Sequence, residues 1–174
     1  MTWGFRLAFF TLLSVIFLYL TLKRPHAHRF YRFITFESVL ALSLMNANVW
    51  FENPFSPVQI VSWIVLLGSI PLALHGFYIL RTRGEPEGDI EKTTRLIESG
   101  AYRYIRHPLY GSLLLVGMGA FLKAPSWVGG ILLALECVTA YLTAVAEERG
   151  NIVKFGEVYR SYMKRTKMFI PLIF

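Results

Sequence analysis

The sequence predicts an all-α fold, a polytopic membrane helical bundle of about five transmembrane helices with its N-terminus outside and its C-terminus cytoplasmic. Three observations predict it. Apolar residues make up 55% of the 174 residues, more hydrocarbon than a soluble domain of this size hides but an amount that a bilayer accepts. The apolar residues fall in long runs separated by clusters of basic residues. Of the 18 Lys and Arg, all except Arg6 and Lys123 fall on one side of the membrane when the runs are taken as spans, and the positive-inside rule makes that side cytoplasmic.

The first run, Trp3 to Leu22, is long enough to cross a bilayer at about 1.5 Å per residue. It has no small-residue cleavage site and ends in Lys23-Arg24, so it reads as a retained helix rather than a secretory signal. The second run, Phe30 to Phe51, carries Glu37, Asn46 and Asn48. The third, Val58 to Leu80, follows an Asn53-Pro54-Phe55-Ser56-Pro57 turn. The fourth, Leu109 to Leu122, is short, and only Lys123-Ala124-Pro125 joins it to a fifth from Ser126 to Ala146. So short a connection implies an antiparallel helical hairpin.

The charge of +7 is arranged as clusters between spans, which suits a membrane surface and argues against nucleic acid as a partner. The single cysteine, Cys137, excludes an intramolecular disulfide. The chain reads as one domain in two parts. Residues 1–80 hold the first three helices, and 81–174 hold a cytoplasmic loop, the hairpin and a C-terminal amphipathic helix. In the loop, Gly84 to Asp89 reads as irregular chain with turns. In the C-terminal helix, Ile152, Phe155, Tyr159, Tyr162 and Met163 recur at helical spacing. It reads as a helix lying at the cytoplasmic interface, the alternative being a tail helix packed on the loop.

Ionisable residues in membrane helices are costly and usually face a bundle interior or a cavity. Glu37, His75, His107 and the Glu147-Glu148 pair fall at one depth near the cytoplasmic side, on four different helices, whereas Glu136 lies near the middle of helix five. Pro108 suits the first turn of helix four, where its missing N–H costs nothing. Arg106 and His107 stand just before that turn and Tyr110 lies within it. The corner reads either as an anion-binding helix start or as a basic, aromatic interface anchor.

Arg106-His107-Pro108-Leu109-Tyr110, Glu147-Glu148, Phe155-Gly156-Glu157-Val158-Tyr159-Arg160-Ser161-Tyr162 and Ile170-Pro171 together resemble the isoprenylcysteine carboxyl methyltransferase family, which also takes in related phospholipid methyltransferases. The resemblance covers Leu96 to Pro171, in the family's order and with similar spacing. It implies that 81–174 form the catalytic region of an integral membrane methyltransferase, with S-adenosylmethionine as methyl donor and no metal. It implies a cofactor-binding role for Arg106, His107, Pro108 and Tyr110, and a catalytic role for Glu147, Glu148 and Arg165. The chain departs from the family pattern at Ala101, Gly150-Asn151 and Thr166-Lys167.

The implied reaction is most like carboxyl O-methylation of an isoprenylated cysteine. The alternatives are N-methylation of a phospholipid amine, S-methylation of a small thiol, and a non-enzymatic membrane scaffold. The implied partners are membrane lipids and a lipidic or prenylated acceptor, small molecule or protein. The implied location is the plasma membrane of a prokaryote, with the site facing the cytoplasm. A carboxylate acceptor needs no base and could be oriented by Arg165. An amine must lose a proton, which Glu147 or Glu148 could take. Adjacent residues on a helix point about 100° apart, so only one of the two faces the site.

Overall fold

The structure, a computed structural model, describes residues 2–23, 29–85 and 93–171. Among them the chain forms six α-helices: α1 (Trp3–Lys23), α2 (Arg29–Met45), α3 (Pro57–Arg83), α4 (Pro108–Lys123), α5 (Trp127–Phe155) and α6 (Glu157–Arg165). A short 3₁₀ turn spans Gly100–Arg103. Residues 86–89 of the expected irregular stretch lie outside the described residues, as do Arg24 and Lys92 of the basic clusters.

Serine caps open two of the long helices. Ser56 accepts the Gln59 N–H at 3.4 Å, with Pro57 in the first turn of α3, and Ser126 accepts the Gly129 N–H at 3.1 Å to start α5. Helix α3 packs along α4 and α2 along α5, while α1 lies against α2. The outward faces of α1, α3 and α5 carry large exposed apolar side chains, among them Trp3, Leu12, Ile64, Leu74 and Ile131. A surface so apolar is stable against lipid rather than water, and the protein is a helical membrane bundle. Three helices, α1, α3 and α5, are long and apolar enough to cross a membrane. Helices α2 and α4 are shorter, at 17 and 16 residues.

Several expected boundaries move. The second helix ends at Met45 rather than Phe51, because Asn46 leaves the helix to donate its amide to the Ala120 carbonyl at 2.8 Å, and Trp50 donates back to the Ser43 carbonyl at 3.2 Å. Helix α5 does not stop at Ala146. It runs through Gly150-Asn151 to Phe155 and breaks at Gly156, whose φ of 61° belongs to the left-handed region that favours glycine. Ile152 and Phe155 therefore belong to α5, not to a separate amphipathic helix. Helix α6 buries Tyr159 and Tyr162, and Tyr162 donates its hydroxyl to the Tyr102 carbonyl at 2.6 Å. This face packs on the loop around Tyr102.

Small residues let the helices approach closely. Ser62 of α3 donates to the Gly119 carbonyl of α4 at 2.8 Å, and a Cβ on Gly119 would strike Leu66. At Gly117 a Cβ would strike the carboxyl of Glu136 from α5. That carboxyl is fully buried and has no hydrogen-bond partner among the described residues. Gly117→Ala should therefore lower stability by about 1–3 kcal/mol, and adding Glu136→Ala should recover most of the loss. Thermal unfolding in detergent measures both. Equal melting of Gly117→Ala and wild type would show that the notch is not required.

At the other end of the bundle from the basic loop, Lys123 is buried. It donates to Gln59 at 3.0 Å and lies 3.7 Å from the centre of the Trp63 ring. This cation–π contact ties the C-terminus of α4 to α3. A wide hollow of about 640 Å³ opens beside it, lined by Glu52, Asn53 and Gln59 among others.

Candidate functional site

The stretch before α4 is held rigidly by the segment after α6. Ile105 and Lys167 form a parallel bridge, with Arg106 N–H donating to the Lys167 carbonyl at 2.8 Å and His107 N–H to the Met168 carbonyl at 3.1 Å. These bonds fix Arg106 and His107 at the head of α4. Pro108 follows as the first helical residue, fully buried, its ring 3.3 Å from where a Cβ on Gly76 of α3 would stand. That close approach holds the start of α4 against α3.

Arg106 is the hub. Its Nε donates to Glu148 Oε1 at 2.5 Å, and its Nη1 donates to the carbonyls of Thr166 at 2.6 Å and Met163 at 3.3 Å. One guanidinium thus joins α5 to the end of α6. Both partners of the ion pair are nearly shut off from solvent, at 9% and 7% side-chain exposure. At that burial the pair needs its added hydrogen bonds to offset desolvation.

His107 lies between the two glutamates, with Nε2 3.3 Å from Glu148 Oε1 and Nδ1 3.6 Å from Glu147 Oε2. Tyr110, one turn along α4, donates its hydroxyl to Glu147 Oε1 at 2.5 Å. Burial alone disfavours the imidazolium, but the hydrogen bonds and charges of Glu147 and Glu148 outweigh it and hold the His107 pKa above its ordinary 6.5. A raised folded-state value means that the stabilisation is complete below pH 6.5 and is lost as pH rises through that raised value. Wild-type melting temperature should therefore fall from about pH 6 to about pH 9 more than that of His107→Gln. Parallel profiles for the two proteins would contradict this account.

These groups border a cavity of about 480 Å³ between α2, α4, α5 and α6, a size suited to a small molecule. Its polar wall includes Arg32, Arg106, His107, Glu147 and Asn151. Leu80, Ile97, Leu109 and Leu113 supply apolar wall, and Tyr102, Phe155, Tyr159 and Tyr162 supply aromatic rings. Burial, partly offset by the hydrogen bond from Asn151, pushes the Tyr159 hydroxyl up to about 12, and burial raises Tyr102 and Tyr162 as well. The rings therefore stay neutral at working pH, presenting flat apolar faces and hydroxyls.

The structure brings together Arg106, His107, Pro108, Tyr110, Glu147 and Glu148. Of the two glutamates, Glu147 lines the cavity and Glu148 stands behind it, paired with Arg106. Arg165 does not join them. It is half exposed on α6 and pairs with Glu98 of the loop at 2.6 Å. Glu37 accepts from Ser14 of α1 at 2.6 Å, and the His75 ring lies against Gly100, so neither lines the cavity. Gly100 has φ of 62°, and a Cβ there would strike the His75 ring, so both its backbone and the space around it call for glycine. Sequence reasoning missed Arg32, Tyr102 and Asn151. Tyr102 lies inside the Leu96–Pro171 stretch that carries the resemblance, and Arg32 reads by sequence as one of the basic residues that set the topology.

A family described as phospholipid methyltransferase matches residues 57–156. Methanethiol S-methyltransferase 2 of Bradyrhizobium diazoefficiens is 37% identical over 75 residues, 42% of this chain and 27% of that protein. Methanethiol S-methyltransferase of a Pseudomonas species is 36% identical over 72 residues, 40% of this chain and 26% of that protein. Protein-S-isoprenylcysteine O-methyltransferase of Schizosaccharomyces pombe is 29% identical over 79 residues, 45% of this chain and 34% of that protein. The matches thus take in only about a quarter to a third of each relative's length. No solved structure matches the chain.

Proposed function

The chain belongs to the phospholipid methyltransferase family, and on that premise we propose that it is an integral membrane methyltransferase that takes S-adenosylmethionine into the cavity between α2, α4, α5 and α6. The observation that carries this reading is the joining of Arg106, His107, Tyr110, Glu147 and Glu148 into one bonded cluster on the wall of a cavity of about 480 Å³. The residues suit the donor. The aromatic and aliphatic wall accepts a nucleoside, and the Arg32 guanidinium suits the carboxylate of an amino-acid end. When bound, the donor supplies an electrophilic methyl on a sulfonium, transferred by in-line displacement. The protein's part is to align the two reactants and exclude water, worth up to about 7–11 kcal/mol of the barrier.

For the acceptor, the geometry favours a group that must lose a proton, and among these a thiol. Glu147, held by the Tyr110 hydroxyl, turns a carboxylate toward the cavity and can take the proton from an S–H as the sulfur attacks. Arg165, which a carboxylate acceptor would use, is paired with Glu98 away from the cavity. Two of the relatives compared above carry methanethiol S-methyltransferase names, in support of the thiol. A second reading, O-methylation of a prenylated cysteine, is supported by the Schizosaccharomyces pombe relative and by the apolar wall of Leu80, Leu109 and Leu113. Incubation of the purified protein with methyl-labelled donor and three acceptors, a small thiol, a prenylcysteine and phosphatidylethanolamine vesicles, should label the thiol most. Label in none of the three would overturn the reading.

The proposal includes five spans, an outside N-terminus and a cytoplasmic cavity, because Arg32, Arg81, Arg103, Arg149 and Lys164 all flank the cavity end of the helices. A reporter fused to the C-terminus and active only outside the cytoplasm would refute that orientation by giving signal.

A further inference from the structure

Arg32 reaches the cavity from α2, outside the stretch 57–156 that carries the family match. It is only 6% exposed. A guanidinium that deep beside a membrane is kept where it meets an anion or lines a cavity. Its place is well fixed. Thr35, three residues on, shares a 2.8 Å hydrogen bond with Thr139 of α5 in the bundle interior, setting the register of the two helices. Phe36, four residues on, lines the same cavity, so cation and ring stand on one face of α2. The cavity thus has a guanidinium on α2, a carboxylate, Glu147, on α5, and aromatic and aliphatic wall between other helices.

We propose that Arg32 is a ligand-binding residue that pairs with the carboxylate of the amino-acid end of the methyl donor. The planar guanidinium fork matches a carboxylate with two parallel hydrogen bonds, which a lysine cannot reproduce. That pairing fixes the donor's direction in the cavity, with its nucleoside left to the tyrosines. The inference rests on the methyltransferase reading and deepens it.

Binding can be read without turnover, by calorimetry on detergent-solubilised protein. The probes are S-adenosylhomocysteine, which keeps the amino-acid carboxylate, and 5′-methylthioadenosine, which lacks it. Arg32→Gln should weaken S-adenosylhomocysteine by about tenfold or more and leave 5′-methylthioadenosine within about twofold of wild type. Arg32→Lys should fall between Gln and wild type for the first probe only. Retained binding of 5′-methylthioadenosine also reports that the variants are folded. Loss of both probes to the same degree, or of neither, would overturn the assignment. A wild-type protein that binds neither probe would overturn the methyltransferase reading itself, and this assignment with it.

Discussion

Replacing Glu147 with Gln should lower turnover by about two orders of magnitude or more in a protein that still folds. Gln keeps the size of the side chain and an oxygen to accept the Tyr110 hydroxyl, now at 2.5 Å from the carboxylate, but it cannot take a proton. Glu148→Gln should behave differently. Glu148 is 5% exposed and bonded to Arg106 and His107, so neutralising it leaves a buried guanidinium without its counter-ion. Its loss should appear first as a lower melting temperature and only secondarily as slower chemistry. Single-turnover rates beside thermal unfolding separate the two effects. A fast Glu147→Gln variant beside a stable, inactive Glu148→Gln variant would reverse the assignment.

Arg106→Met should be the most damaging single change to stability. It leaves the buried Glu148 carboxylate with only His107 beside it, at a cost of about 3–5 kcal/mol. It also removes the donor shared by the Met163 and Thr166 carbonyls, so the segment after α6 should become sensitive to proteolysis. The double variant Arg106→Met, Glu148→Met removes both charges together and should regain much of the stability, though not the activity. Arg106→Met with wild-type melting and protease resistance would show that the hub is not what docks α6.

Much of this arrangement was legible in the chain. The Arg-His-Pro-x-Tyr segment and the Glu-Glu pair are far apart in sequence, and the structure bonds them together. The 100° offset between adjacent helical residues already required the glutamates to part, and packing decides which goes where: Tyr110 holds Glu147 at the cavity, and Arg106 holds Glu148 behind it. Other features depended on contacts that no local pattern carries. Asn46 ends α2 because a carbonyl on α4 takes its amide. Gly150-Asn151 departs from the family pattern, yet α5 continues through it, and the interruption falls at Gly156. Arg165 sits close in sequence to residues that do join the cluster, but Glu98 of the loop takes it instead. Arg32 is a loop-flanking cation by sequence, and only the packing of α2 on α5 turns it into a cavity residue.

The central claim is that the cavity between α2, α4, α5 and α6 holds the methyl donor. Gly150 tests it most directly, because it lines that cavity and a Cβ built on it meets nothing within 4 Å. Gly150 is exposed at the rim of that cavity, so Gly150→Trp should fold, gaining helix propensity over glycine, and its indole should narrow the space a donor would need. Calorimetric titration with S-adenosylhomocysteine is the measurement. The account predicts one site per chain in the wild type and no detectable binding in a Gly150→Trp protein with undiminished thermal stability. Equal affinity in the two proteins would contradict it.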